Sequence, residues 1–164
     1  DSSKIELETI QAFYIPIGID ELQYVGTQLP FYNLKTDIFG NQNWLNMKLL
    51  NQQVIGPHVQ GLRVVSDLGS TIINEEEDSS KNYYNIAYEH VNFLEEVIRN
   101  SFSNRKQLAQ KLRNQKGYFG VNSTIGFIGP KKNENGSVQV LQYQNQNITV
   151  IGTFEGQSYR KNIP

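Results

Sequence analysis

The sequence predicts an α/β protein with three α-β-α layers, a mainly parallel sheet and a β-rich C-terminal segment. Three observations predict it. Residues Ala12 to Trp44 read as strand, loop, helix, strand and polar loop, which makes one parallel β-α-β unit. Residues Asn82 to Asn100 place apolar side chains at spacings of three and four, as in a helix with one covered face. From Thr124 onward, short apolar runs alternate with turn residues, the mark of strands.

Taken in order, Ala12 to Pro16 is a short apolar run stopped by Pro16 and Gly18, as expected of a parallel strand buried on both faces. Asp20 is placed to cap a helix whose positions Leu22, Val25 and Leu29 form one apolar stripe, and Pro30 ends it. Lys35 to Phe39, followed by Gly40, is the second strand. The right-handed crossover rule sets it parallel to the first. Ser66 to Lys81, with the run Glu75-Glu76-Glu77-Asp78, reads as an exposed polar linker loop; it lacks the oxygen-ligand spacing of a calcium loop. The helix that follows places Tyr84, Ala87, Tyr88, Val91, Leu94 and Ile98 on the stripe expected to pack on a sheet, with His90 at its edge. Thr124 to Ile128, Val138 to Tyr143 and Ile148 to Phe154 are strands, separated by turns at Gly136 and Asn145-Gln146-Asn147. The chain is expected to be one α/β domain over residues 1–164, or a fragment of a larger protein.

Composition narrows the chemistry. A chain of 164 residues with 38% hydrophobic residues can build one core. A formal net charge of −1 offers no electrostatic case for nucleic acid, and no apolar run reaches the roughly 20 residues needed to insert in a membrane. With no cysteine there is neither disulfide nor thiolate chemistry. The two histidines, His58 and His90, are too few for a multi-histidine zinc site, and no nucleophile elbow of the Gly-x-Ser-x-Gly type occurs. No enzyme, cofactor or metal is expected. Lys131 stands where a calcium loop starting there needs an oxygen ligand, and Gly117, Gly120 and Gly126 precede a strand instead of a phosphate-binding helix. Both segments read as turn or close-packing structure. The 33 Asn and Gln residues are dispersed, so the triplets Asn122-Ser123-Thr124, Asn135-Gly136-Ser137 and Asn147-Ile148-Thr149 arise at about the frequency chance allows.

In open α/β sheets, ligands bind outside the carboxyl ends of the strands. Here those ends are Pro16-Ile17-Gly18 and Gly40-Asn41-Gln42-Asn43-Trp44. Asn41 and Asn43 can exchange hydrogen bonds with a polar ligand, although Asn is also a routine turn residue. Trp44, the only tryptophan, either stacks on a ligand or covers the sheet end.

The order of these motifs resembles the second half of the type I periplasmic binding proteins, typified by the branched-chain amino acid receptors. The β-α-β unit is followed by Gln60-Gly61, where the family usually has Glu-Gly, and then by the strand to Asp67. Tyr88-Glu89-His90 stands in place of the Tyr-Asp-Ala core of the return helix. Leu108 to Leu112, Gly117-Tyr118-Phe119-Gly120 and Thr124-Ile125-Gly126-Phe127-Ile128 match the short helix, the aromatic-Gly pair and the strand that follow. The likeness spans roughly residues 11 to 155. It implies a non-enzymatic extracytoplasmic or periplasmic module that binds a small polar metabolite, amino acid or peptide-like, for an ABC transporter or receptor, with lipid anchoring through an upstream region as an option. The alternative is a non-catalytic envelope protein-interaction module, of the lipoprotein activator type. The resemblance further implies a ligand site at Tyr14, Pro16, Ile17, Gly18, Asn41, Gln42, Asn43 and Trp44. Gln42 falls where some amino-acid-binding members carry an acidic residue. A chain holding only half of this fold is also expected to self-associate through edges left without neighbours.

Overall fold

A computed structural model of the chain describes residues 10–28, 36–75, 80–99, 104–115, 117–120, 123–127 and 134–162. Two compact units emerge, residues 1–65 with 141–149 and residues 66–140 with 150–164.

The first unit is the β-α-β unit and its continuation. Strands β1 (Ala12–Ile15) and β2 (Asp37–Gly40) are parallel, with Ala12 opposite Asp37 and Ile15 opposite Gly40, and helix α1 (Ile19–Gln28) crosses between them. Strand β3 (Arg63–Ser66) is parallel to β2, with Phe39 opposite Arg63. One sheet face turns inward. Ile38 and Val64 are buried there, and Leu22 of α1, Trp44, Leu50, Ile55, Val59, Leu62, Leu141 and Ile148 are among the residues buried with them in this unit. The other face carries Tyr14, Phe39 and Arg63, whose guanidinium lies 5.7 Å from the Phe39 ring centroid and pairs with Asp37. The first strand therefore departs from expectation. Among the described strands it stands at the sheet edge, alternates exposed and half-buried residues, and leaves Tyr14 64% exposed. The short helix α2 (Met47–Leu50) is capped by Asn46, whose Oδ1 accepts the Leu49 N–H at 3.0 Å. Tyr143 is buried beneath it and donates its hydroxyl to the Leu50 carbonyl at 2.8 Å; burial raises its pKa, an effect partly offset by a hydrogen bond with Gln60. Leu29, Pro30 and Lys35 lie outside the described residues.

The second unit is built on a helix that turns the other way from the sequence expectation. In α4 (Ser80–Arg99) the buried residues among the described side chains are Glu89, Phe93 and Val97, whereas Tyr84, Tyr88, Val91, Leu94 and Ile98 are 42–71% exposed. The helix carries apolar residues in two sectors, and periodicity alone does not say which one finds a partner. The one that does packs Phe93 and Val97 with Ile125 of β5 (Thr124–Ile125), with Leu108 and Leu112 of α5 (Arg105–Asn114), and with Tyr118 of β4 (Tyr118–Phe119) and Phe127. Strands β4 and β5 pair antiparallel. Tyr118 titrates above its ordinary range, chiefly through desolvation and then through the Glu89 charge.

Within the expected linker loop, α3 (Ser70–Glu75) is helical and buries Ile73, and Leu68 is buried as it bridges to Ser123. Burial of two apolar side chains outweighs the local polarity. Residues 76–79 lie outside the described residues.

The C-terminal strands β6 (Ser137–Gln144), β7 (Asn147–Glu155) and β8 (Ser158–Lys161) follow as the β-rich segment, and the six-stranded order is β1-β2-β3-β6-β7-β8. Asn145 and Gln146 both adopt positive φ, 51° and 61°, as a two-residue hairpin requires. The final strand is an addition to the sequence expectation. Gly156, at φ 65°, turns β7 back into it antiparallel. Asn135 is committed to structure: its Nδ2 donates to the Thr124 carbonyl, and its Oδ1 accepts the N–H groups of Gly126 and Ser137.

Candidate functional site

The two loops at the carboxyl ends of β1 and β2 are joined through a single acceptor. The Ile17 carbonyl receives Asn41 Nδ2 at 2.7 Å and the Trp44 indole N–H at 3.1 Å. Each donor belongs to a locally dictated turn. Asn41 takes extended backbone dihedrals and caps the 3-10 turn Gln42–Trp44, its Oδ1 accepting the Asn43 N–H at 2.9 Å. That turn brings Trp44 back over the end of β2. A Cβ at Gly40 would lie 2.7 Å from two indole ring atoms, so only glycine admits the ring there. The indole is fully buried.

On the β1 side, Gly18 precedes α1, and its N–H donates to Glu21 Oε2 at 3.1 Å, one half of a capping box. Asp20, expected as the cap, sits instead in the first turn, where its charge complements the positive end of the helix. The cap lies two residues earlier because the chain turns into the helix at Gly18.

The fold thus brings seven of the eight expected site residues into one rim: Pro16, Ile17 and Gly18 from one loop, and Asn41, Gln42, Asn43 and Trp44 from the other. Their exposure divides them. Pro16, Gly18, Gln42 and Asn43 are exposed, while Ile17 and Asn41 are half-buried and Trp44 is enclosed. Tyr14, the eighth, lies one strand residue back on the outward sheet face opposite Phe39, and it is exposed.

A cleft of about 210 Å³ opens beside the rim, lined by Asp20, Gln23, Asn46, Lys48, Leu49 and Gln52. It lies between α1 and α2 and offers a carboxylate, an ammonium and amides within one small concavity. Sequence reasoning did not foresee it. Asn46 before Met47-Lys48-Leu49-Leu50 is a helix-start signature that would have placed α2, and so the cleft's second wall. His58 is exposed at the end of a 3-10 turn whose first residue, Gly56, is buried, and His90 is exposed on α4. Among the described residues no group of three or more His, Asp or Glu could hold a metal, and no helix is long and apolar enough to cross a membrane.

No protein-family model matches the chain, and no curated protein matches it. Solved structures do. A putative branched-chain amino acid ABC transporter protein from Rhodospirillum rubrum is similar at a TM-score of 0.60 and 17% identity, over 88% of this chain and 45% of that one. A leucine-binding protein from Thermotoga maritima is similar at a TM-score of 0.51 and 15% identity, over 88% of this chain and 44% of that one. The chain therefore shares the fold of the matched part of these structures, a lobe of the type I periplasmic-binding-protein fold, and spans less than half their length.

Proposed function

We propose that the chain is part of an extracytoplasmic solute-binding or ligand-sensing protein, and that the rim at the carboxyl ends of β1 and β2 takes a small polar metabolite, an amino acid or peptide-like. The observation that carries this reading is the clamp on the Ile17 carbonyl, which holds two loops at the strand ends where α/β sheets bind ligands. In this reading Pro16, Gly18, Gln42 and Asn43 meet the ligand, Ile17, Asn41 and Trp44 hold the loops in register, and Tyr14, on the outward sheet face, stands apart from the rim. Gln42 supplies a neutral amide, which favours hydrogen bonding to a ligand carbonyl or hydroxyl over ion pairing with an ammonium group. In a two-lobed protein the remaining contacts come from the other lobe, and closure selects the bound state for a transporter or receptor to read. An upstream lipid anchor is compatible with this arrangement.

The test is a titration of the chain with free amino acids and dipeptides, read by calorimetry and by amide chemical shifts. Saturable shifts confined to residues 14–18 and 41–52 are expected, with Gln42→Ala weakening binding by about 0.5–1.5 kcal/mol for one lost neutral hydrogen bond. Binding that is indifferent to Gln42 and Asn43, or shifts that map elsewhere, would refute the assignment. An absence of any binding metabolite together with specific retention of an envelope protein would replace it with the protein-interaction reading.

A further inference from the structure

The apolar face that α4 leaves open is ordered. Tyr84, Ala87, Val91, Leu94 and Ile98 follow one another at spacings of three, four, three and four residues, a strict heptad seam of 15 residues. All five are exposed: Tyr84 at 71%, Val91 at 63%, Leu94 at 42% and Ile98 at 47%, with Ala87 among them. Tyr88 flanks the seam, and its ring lies parallel to that of Tyr84 at 6.5 Å between centroids. The buried face, with Glu89, Phe93 and Val97, lies on the other side of the helix. Together the six outward side chains leave roughly 600 Å² open, at the upper limit of the largest apolar patch on an ordinary monomer. That approaches the roughly 800 Å² each partner contributes to a stable complex.

A seam this narrow fits another helix better than a sheet, because heptad knobs need the holes of a facing helix. We propose that the facing helix is α4 of a second copy of the chain, packed antiparallel about a twofold axis near Glu89. Four of the five seam positions complement one another in that arrangement, and Ile98 lies beyond the paired layers. Tyr84 faces the second copy's Leu94, and Ala87 faces the second copy's Val91. The twofold repeats both contacts, so four layers form and each pairs a larger side chain with a smaller one. The Tyr88 side chains of the two copies meet beside the axis. Glu95, on the flank, keeps its charge compensated within its own chain by Arg99 at 2.8 Å. This surface belongs to the second compact unit, so it stands or falls independently of the ligand rim in the first.

The absence of cysteine makes the arrangement testable on the 164-residue chain itself. Sedimentation velocity over a hundredfold concentration range should show a monomer–dimer equilibrium. Val91→Glu should raise the midpoint concentration at least tenfold without changing the far-ultraviolet circular dichroism. Val54→Glu, an equally exposed site in the other unit, should leave the midpoint unchanged. Under mild oxidation Tyr88→Cys should form a disulfide-linked dimer. Ile98→Cys should not, because the two copies of that position lie about 27 Å apart along the seam at 1.5 Å per residue. A chain that stays monomeric throughout, a dimer indifferent to Val91→Glu, or cross-linking at residue 98 in preference to residue 88 would each overturn the proposal.

Discussion

Removing the two donors to the Ile17 carbonyl separately and together tests whether that atom holds the rim. Trp44→Phe keeps an aromatic ring against Gly40 but deletes the indole N–H. The cost is about 0.5–1.5 kcal/mol for the hydrogen bond, with a further fraction to about 1 kcal/mol for the smaller ring in a fully buried site, at roughly 24 cal/mol per Å³ of cavity. Asn41→Ala loses its own bond to Ile17 and also the cap on the Asn43 N–H, about 1–3 kcal/mol in all. In either single variant the carbonyl retains one donor at 2.7 or 3.1 Å. In the double variant it retains neither. Ile17 is half-buried, so the extra penalty falls at the low end of the 1–3 kcal/mol range for an unsatisfied group, about 1 kcal/mol beyond the sum of the single effects. Urea unfolding followed by circular dichroism at 222 nm, a signal that does not need the tryptophan, measures all four corners of the cycle. Additivity within about 0.3–0.5 kcal/mol, the level found for independent sites, would refute the shared-acceptor clamp and with it the reason for grouping the two loops.

Other consequences are open to direct measurement. Gly120→Ala should destabilise the chain by about 1–3 kcal/mol in chemical denaturation, because the added Cβ falls 1.8 Å from the buried Glu89 carboxylate and 2.9 Å from the Tyr118 ring; a neutral result would mean that Glu89 can swing clear. Asn135→Ala should cost about 2–3 kcal/mol, since one side chain satisfies the N–H groups of Gly126 and Ser137 and the carbonyl of Thr124; a midpoint shift equivalent to less than about 0.5 kcal/mol would contradict that. Tyr143 and Tyr118 both hold their protons to higher pH when folded, through burial. Their contribution is therefore complete below about pH 10 and is lost as pH rises through the folded-state values, by up to about 1.4 kcal/mol per pH unit for each fully coupled group. Denaturation midpoints between pH 8 and 11.5 should show the decline, and Tyr143→Phe should flatten it; an unchanged slope would rule out Tyr143 as a source.

Much of the architecture was present in local chemistry. Pro16, Gly18 and Gly40 punctuate β1, α1 and β2, so the β-α-β unit, its parallel pairing and the position of its two loops were legible before any contact was known. The turn around Asn145 was legible too, since Asn tolerates positive φ at small cost, whereas the positive φ of Gln146 was not foreshadowed by its residue type. The roles within the loops were not legible. Trp44 and Asn41 suit a ligand contact and a structural clamp equally well by residue type. Only the approach of Ile17, 24 and 27 residues earlier in the chain, commits their N–H groups to the clamp. The orientation of α4 was decided in the same way. Two apolar sectors share that helix, and burial went to the one that meets Ile125, Leu108, Leu112 and Tyr118. Periodicity fixes which residues share a face, because it is a property of one helix. Which face is covered depends on what other elements bring to it, and that is set only when residues distant in sequence are packed together.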